Sequence, residues 1–144
     1  MDDRGAAGRW EHFPHDADIG VRGYGATPGE AFGQAAVAMM AAILDPATVR
    51  IEQSIDIVLE APRLDLLLVD WLNALIYEMA ERRMVFGAFE VTIEDHRLKG
   101  RAHGEAVSRA RHAPAVEAKG ATYTELACVE DRPGRWRAQC VIDV

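Results

Sequence analysis

The sequence predicts an α+β fold, a two-layer arrangement with two helices packed on one face of a largely antiparallel or mixed β-sheet. Two long segments, residues 26–44 and 63–81, repeat their apolar side chains at helical spacing. Shorter segments around them alternate apolar and polar residues and are joined by turn-forming pairs. The resulting order is two strands, helix, strand, helix, then a run of strands.

The first two strands are expected at 9–13 and 19–24, separated by Pro14-His15-Asp16-Ala17-Asp18. Thr27, Pro28 and Glu30 form the start signal of the first helix: an N-cap hydroxyl, a proline in the first turn and an acid placed to close a capping box. Its face is mostly Ala and Met, which lets a sheet or a second helix approach closely, and Asp45-Pro46 stops it. Ile55, Ile57 and Leu59 alternate with polar neighbours as a half-buried strand ended by Pro62. The second helix carries a broad stripe from Leu64 to Met79, with Asp70 and Asn73 pointing away from its centre. Strands at 89–94 and 98–105 make a hairpin through Asp95-His96-Arg97. Residues 106–114 lack a period and are expected to be a loop. Strands at 115–129 and 136–144 are joined by Asp131-Arg132-Pro133-Gly134, whose Pro-Gly pair suits a turn. No internal repeat interrupts this order.

The 144 residues fit one domain, expected at 9–144 behind a flexible segment at 1–8. A composition 49% hydrophobic is too apolar for a disordered chain. Sixteen basic against twenty-three acidic residues leave a net charge of −7, so no general field attracts polyanions. Such a chain suits a cation or a basic protein surface over direct RNA contact. Cys128 and Cys140 are too few to staple the fold and are expected to stay thiols in a reducing cytosol. The N-terminal residues have no signal or transit pattern, and no apolar run reaches a membrane span of about 20 residues, so a cytoplasmic location is expected.

Two clusters can carry chemistry. His15, Asp16 and Asp18 place an imidazole and two carboxylates within four positions at a strand edge. If the segment is extended, Asp16 and Asp18 share one side and suit Mg²⁺ or Ca²⁺ better than Zn²⁺. The alternative is a solvated turn in which the Asp side chains bond nearby amides. Asp143 ends an otherwise apolar strand, where an unpaired buried carboxylate would cost several kcal/mol. If the natural chain ends at Val144, its terminal carboxylate adds charge to that spot; otherwise Asp143 is an ordinary exposed acid. A zinc pair from His12 and His15 is disfavoured by Pro14 between them and the absence of a nearby Cys. Ser54, Ser108 and the cysteines lack a nucleophile signature, His96 and His103 fit the surface, and Gly23-Tyr24-Gly25 lacks phosphate-loop spacing.

Four motifs in order resemble the archease family: Trp10 to Gly20 with Arg22 to Gly25 and the Thr27 helix start, Leu66 to Tyr77, Glu117 to Tyr123, and Trp136 to Val144. The resemblance implies a small cytoplasmic protein that assists the GTP-dependent tRNA-splicing RNA ligase without ligating RNA itself. Such proteins promote guanylylation of the ligase's active-site histidine and allow repeated turnover. It further implies a divalent cation, Ca²⁺ or Mg²⁺ with Mn²⁺ as an option, held by Asp18 and Asp143, with Lys119 nearby. His15, Asp16 and Val144 are further site candidates. Asp16 stands where the family usually has Thr, and Thr124 where it often has His. Two other functions fit the same residues: a stand-alone metal-dependent phosphoesterase using His15 as base, and a chaperone-like adaptor for RNA-modifying enzymes.

Overall fold

The computed structural model describes residues 8–144. The expected segment at 1–8 falls outside the described residues except for Gly8, which opens β1. Strands β1 (Gly8–His15) and β2 (Asp18–Gly25) lead into α1 (Pro28–Ile43), followed by a 3₁₀ turn (Pro46–Thr48). Next come β3 (Gln53–Glu60), α2 (Leu64–Arg82), β4 (Met84–Glu94) and β5 (Arg97–Ala106). A one-turn helix α3 (Arg109–His112), β6 (Gly120–Ala121), β7 (Ala127–Arg132) and β8 (Arg135–Asp143) complete the order.

The α+β reading holds, and the strands divide between two antiparallel sheets. One runs β1-β2-β8, with β6 and β7 successively on the far edge of β8; the other is β3-β5-β4. Both turn their apolar faces toward the helix pair: Val21, Ala138, Cys140 and Ile142 from the first sheet meet Ile57, Phe86, Leu98 and Ala102 from the second in one core.

Helix α1 is capped as its sequence predicts, with the Glu30 N–H donating to the Thr27 Oγ1 at 3.1 Å. Almost its whole circumference is buried, which suits an element lying between sheets. Small residues on its neighbours make that possible. A Cβ on Gly23 of β2 would lie 2.2 Å from the Ala31 carbonyl oxygen and the Ala35 nitrogen of α1. Across the helix, a Cβ on Gly29 would lie 2.4 Å from the Val91 oxygen of β4. Trp71 of α2 is fully buried and donates its Nε1 hydrogen to the Phe32 carbonyl at 3.1 Å, so the one large polar ring in the helix interface has its partner.

The turns follow backbone preference. Asp95 and His96 both take positive φ, 50° and 60°, as a two-residue hairpin turn requires. Pro133 followed by Gly134 at φ 79° closes the last hairpin.

Two expectations need correction. Residues 106–114 are not wholly irregular, because Ser108 caps the α3 turn and the segment is pinned to β5. The Glu105 carboxylate, 2% exposed, accepts from the Arg50 N–H at 2.7 Å, from both terminal nitrogens of Arg111 and from His112 Nε2 at 2.9 Å. The Ser108 N–H donates to His112 Nδ1 at 2.8 Å, so Nε2 carries the proton. The long strand expected at 115–129 shrinks to β6 and the start of β7. Between α3 and β6 the chain instead runs from the end of α1 along α2, tied by the Ala115 N–H to the Ile43 oxygen of α1 and by buried Ala118.

Candidate functional site

The outer face of the five-stranded sheet, turned away from the helices, holds the predicted acids. Its register forms rows across β1, β2 and β8. His15 pairs with Asp18, and Ile19 pairs with Ile142. Continuing that register by one residue sets Asp18 opposite Asp143, while Asp143 pairs on its other side with Gly120 of β6. Residues directly opposite in an antiparallel pair share a face, so the two carboxylates are cross-strand neighbours although 125 positions separate them. The Val144 N–H donates to Asp18 Oδ1 at 3.3 Å, which turns that carboxylate toward the end of β8.

Like charges set opposite each other repel, and among the described residues neither acid forms an ion pair. Asp143 is exposed and Asp18 partly so, which leaves oxygen lone pairs open to a hard cation. The pair therefore fits a divalent ion in charge and ligand type. Among the described residues no third His, Cys, Asp or Glu joins them, so further ligands would come from backbone oxygen or water.

The other candidates take different places. Asp16 does not share a side with Asp18, because the segment is not extended there: Asp16 sits at the turn with φ 50°, exposed, its Oδ2 4.0 Å from His15 Nδ1. A short polar residue tolerates that left-handed backbone better than a bulky or β-branched one. His15 lies in the row of Asp18 on the edge strand. Lys119 reaches the site through its backbone, its N–H donating to the Asp143 oxygen at 2.7 Å, while its side chain lines a groove along α2. His12 alternates onto the opposite face from His15 and bonds the Ala38 oxygen at 2.7 Å, which excludes a zinc pair.

Asn73 of α2, set apart in the sequence only as lying off the apolar stripe, holds the site's far edge. Its amide accepts from the Ala121 N–H at 2.8 Å and donates to the Ala121 oxygen at 3.3 Å, acting as a one-residue strand partner for β6. Burial raises both Cys128 and Cys140 thiols to about 12, which makes them poor nucleophiles. On the other sheet a chain absent from the sequence reading runs from Ser54 Oγ to His103 Nδ1 at 2.6 Å and from His103 Nε2 to Glu90 Oε1 at 2.6 Å. The β3-β5-β4 register brings these residues together, and no local motif signals it.

A model of the Archease protein family (MTH1598/TM1083) matches residues 10–144. The chain belongs to the archease family. Relatives include the protein archease of Pyrococcus furiosus, 39% identical over 140 residues covering 94% of this chain and 99% of that protein. The protein archease of Methanosarcina mazei is 36% identical over 141 residues, covering 94% and 96%. Among solved structures, the solution structure of Methanobacterium thermoautotrophicum protein 1598 superposes with a TM-score of 0.80 at 26% identity, covering 94% of this archease and 98% of that chain. A Thermotoga maritima crystal structure described as an archease and possible chaperone has a TM-score of 0.61 at 16% identity, covering 93% and 96%, and supports the fold. Among the described residues no helix of this archease is long and apolar enough to cross a membrane.

Proposed function

We propose that this archease is a divalent-cation-binding activator of the GTP-dependent tRNA-splicing RNA ligase, promoting guanylylation of the ligase's active-site histidine and its repeated turnover. The observation that carries the reading is the juxtaposition of Asp18 and Asp143, one residue beyond the Ile19–Ile142 pair on an open sheet face, with neither acid in an ion pair among the described residues. Membership of the archease family, one of whose solved structures is described as a possible chaperone, supports a protein partner.

The chain's own residues do the positioning. β6 and the Lys119 N–H hold the Asp143 backbone, β2 pairs with its neighbour Ile142, Asn73 anchors β6, and the Val144 N–H orients Asp18. A bound Ca²⁺, Mg²⁺ or Mn²⁺ would supply a positive centre for phosphate oxygens of the nucleotide. The acid end of the sheet, projecting at the β1–β2 turn and the end of β8, is complementary to a basic cleft on the ligase.

The test is guanylylation of the cognate ligase with GTP, with and without this archease. Asp18→Asn and Asp143→Asn should each stay folded and lose most of the stimulation. Undiminished stimulation by both variants defeats the reading. Turnover of a generic phosphoester by the archease alone, in Mg²⁺ or Mn²⁺, would replace it with the phosphoesterase.

A further inference from the structure

The acids occupy only one end of the outer sheet face. Two rows further along, Arg22 lies between Glu11 of β1 and Gln139 of β8, and in the next row Tyr24 lies between Arg9 and Arg137. Arg132 and Arg135 face each other across the last hairpin. Among the described residues five guanidiniums thus meet three carboxylates: Glu11, which accepts from Arg22 at 2.7 Å, Asp131, which accepts from Arg135 at 2.7 Å and lies 3.7 Å from Arg137, and Glu130, which accepts from the Gly134 N–H at 3.1 Å in the same hairpin. Gln139, 6% exposed, accepts from both Arg22 and Arg137 on one amide oxygen and donates to the Glu125 oxygen at 2.9 Å. A neutral buried amide therefore draws two like charges together, leaving this end of the face with excess positive charge.

Aromatic rings underlie the cations. Arg22 stacks over Phe13 at 4.6 Å, and Arg135 and Arg9 lie over Tyr24 at 4.5 and 5.8 Å. Phe13 itself lies flat on Gly20, where a Cβ would come within 2.3 Å of its ring. Each stack presents a guanidinium plane that can stack on a base; Arg22 and Arg135 already donate in-plane to Glu11, Gln139 and Asp131, which leaves their remaining N–H groups and those of Arg9 for a phosphate. A carboxylate-bearing peptide would use only the second property. The acidic pair does not cancel this field, because four strand residues span about 13 Å and the screening length at physiological salt is about 8 Å. The overall charge of −7 thus conceals two separate ends of opposite sign.

We propose that the Arg9–Arg22–Arg132–Arg135–Arg137 end of the outer sheet face is a binding site for a single-stranded polynucleotide. It is independent of any cation at Asp18 and Asp143.

The probe is a fluorescein-labelled single-stranded oligoribonucleotide of about 12 nucleotides, titrated with the whole protein and followed by anisotropy. The expected Kd is about 10–100 µM at physiological salt, weakening about 100-fold per tenfold rise in salt for some three phosphate contacts. Arg9→Glu/Arg132→Glu alters exposed residues and should leave the melting temperature in place while weakening binding at least tenfold; Arg135→Gln tests the stacked position. Lys99→Glu/Arg101→Glu, the same charge change on the other sheet, and Asp18→Asn/Asp143→Asn should each change binding less than twofold. The proposal is overturned by no saturable binding at millimolar protein, by equal losses in the two Glu double variants, or by a poly-glutamate peptide of equal charge binding as tightly as the oligonucleotide. Ligase stimulation lost in Asp143→Asn with RNA binding intact separates this site from the cation reading.

Discussion

Replacing Asp143 by Asn should act in opposite directions on the metal-free and metal-loaded protein. Side chains directly opposite in an antiparallel pair approach to about 5 Å. At that separation two unit charges repel by about 1 kcal/mol in water and about 3 kcal/mol at an effective dielectric constant of 20. Asp143 is exposed, so the lower figure governs. For a chain of this length about 1 kcal/mol moves the melting temperature by about 3–4 °C, so Asp143→Asn should melt about that much higher than wild type in chelator. With a divalent ion at one hundred times its Kd, wild type gains about 2.7 kcal/mol by mass action, or about 8–10 °C, and the variant gains little. The order of melting temperatures therefore inverts on adding Ca²⁺ or Mg²⁺, read by circular dichroism or calorimetry in matched buffers. Equal responses of both proteins to the ion, or a destabilised variant in chelator, would refute the argument that the two acids face each other with no counterion among the described residues.

Two further outcomes test the scaffold. Gly23→Ala sets a methyl group against two backbone atoms of buried α1, which cannot move aside as a side chain would, so the loss should reach or exceed about 3 kcal/mol; an unchanged melting temperature would show that α1 does not lie where described. Arg111 holds the Glu105 carboxyl down to about 2 from 4.5, so its stabilising contribution is complete above about pH 4.5 and lost as pH falls toward 2; the denaturation midpoints of wild type and Glu105→Gln should differ at pH 7 and converge near pH 2.

The local elements were legible because local chemistry decides them. Thr27-Pro28-x-Glu30 specifies a helix start, Asp95-His96 a hairpin, and the stripe from Leu64 to Met79 a buried helix face. The pairing partners were not, because alternation says that a strand has two faces without saying which strand lies beside it. Residues 115–119 show the limit most clearly: Val116 and Ala118 alternate as a strand would, yet they pack against the core and find no ladder. Asn73 lies off the stripe, and nothing nearby in sequence reveals that its amide faces the two residues of β6, 48 positions away. The Glu105–Arg111–His112 cluster and the Ser54–His103–Glu90 chain were invisible for the same reason.

The placement of Asp18 and Asp143 has a consequence for how the site forms. Asp18 belongs to a hairpin whose two strands are adjacent in sequence, so its position relative to His15 costs little chain entropy. Asp143 reaches it only when β8 inserts between β2 and the β6–β7 edge, a closure that spans most of the chain. Contacts of that separation are the slow ones to form. Repulsion between the acids opposes that last insertion, whereas burial of Ala138, Cys140 and Ile142 from β8 favours it. Those three side chains alternate with Gln139, Val141 and Asp143, so the register that fills the core necessarily brings the second carboxylate to the first. A slip of one residue would turn Asp143 toward the core and Ile142 toward water, at a cost far larger than the repulsion. The acid pair is thus held by the core's demand for register, and its charge remains available to a ligand.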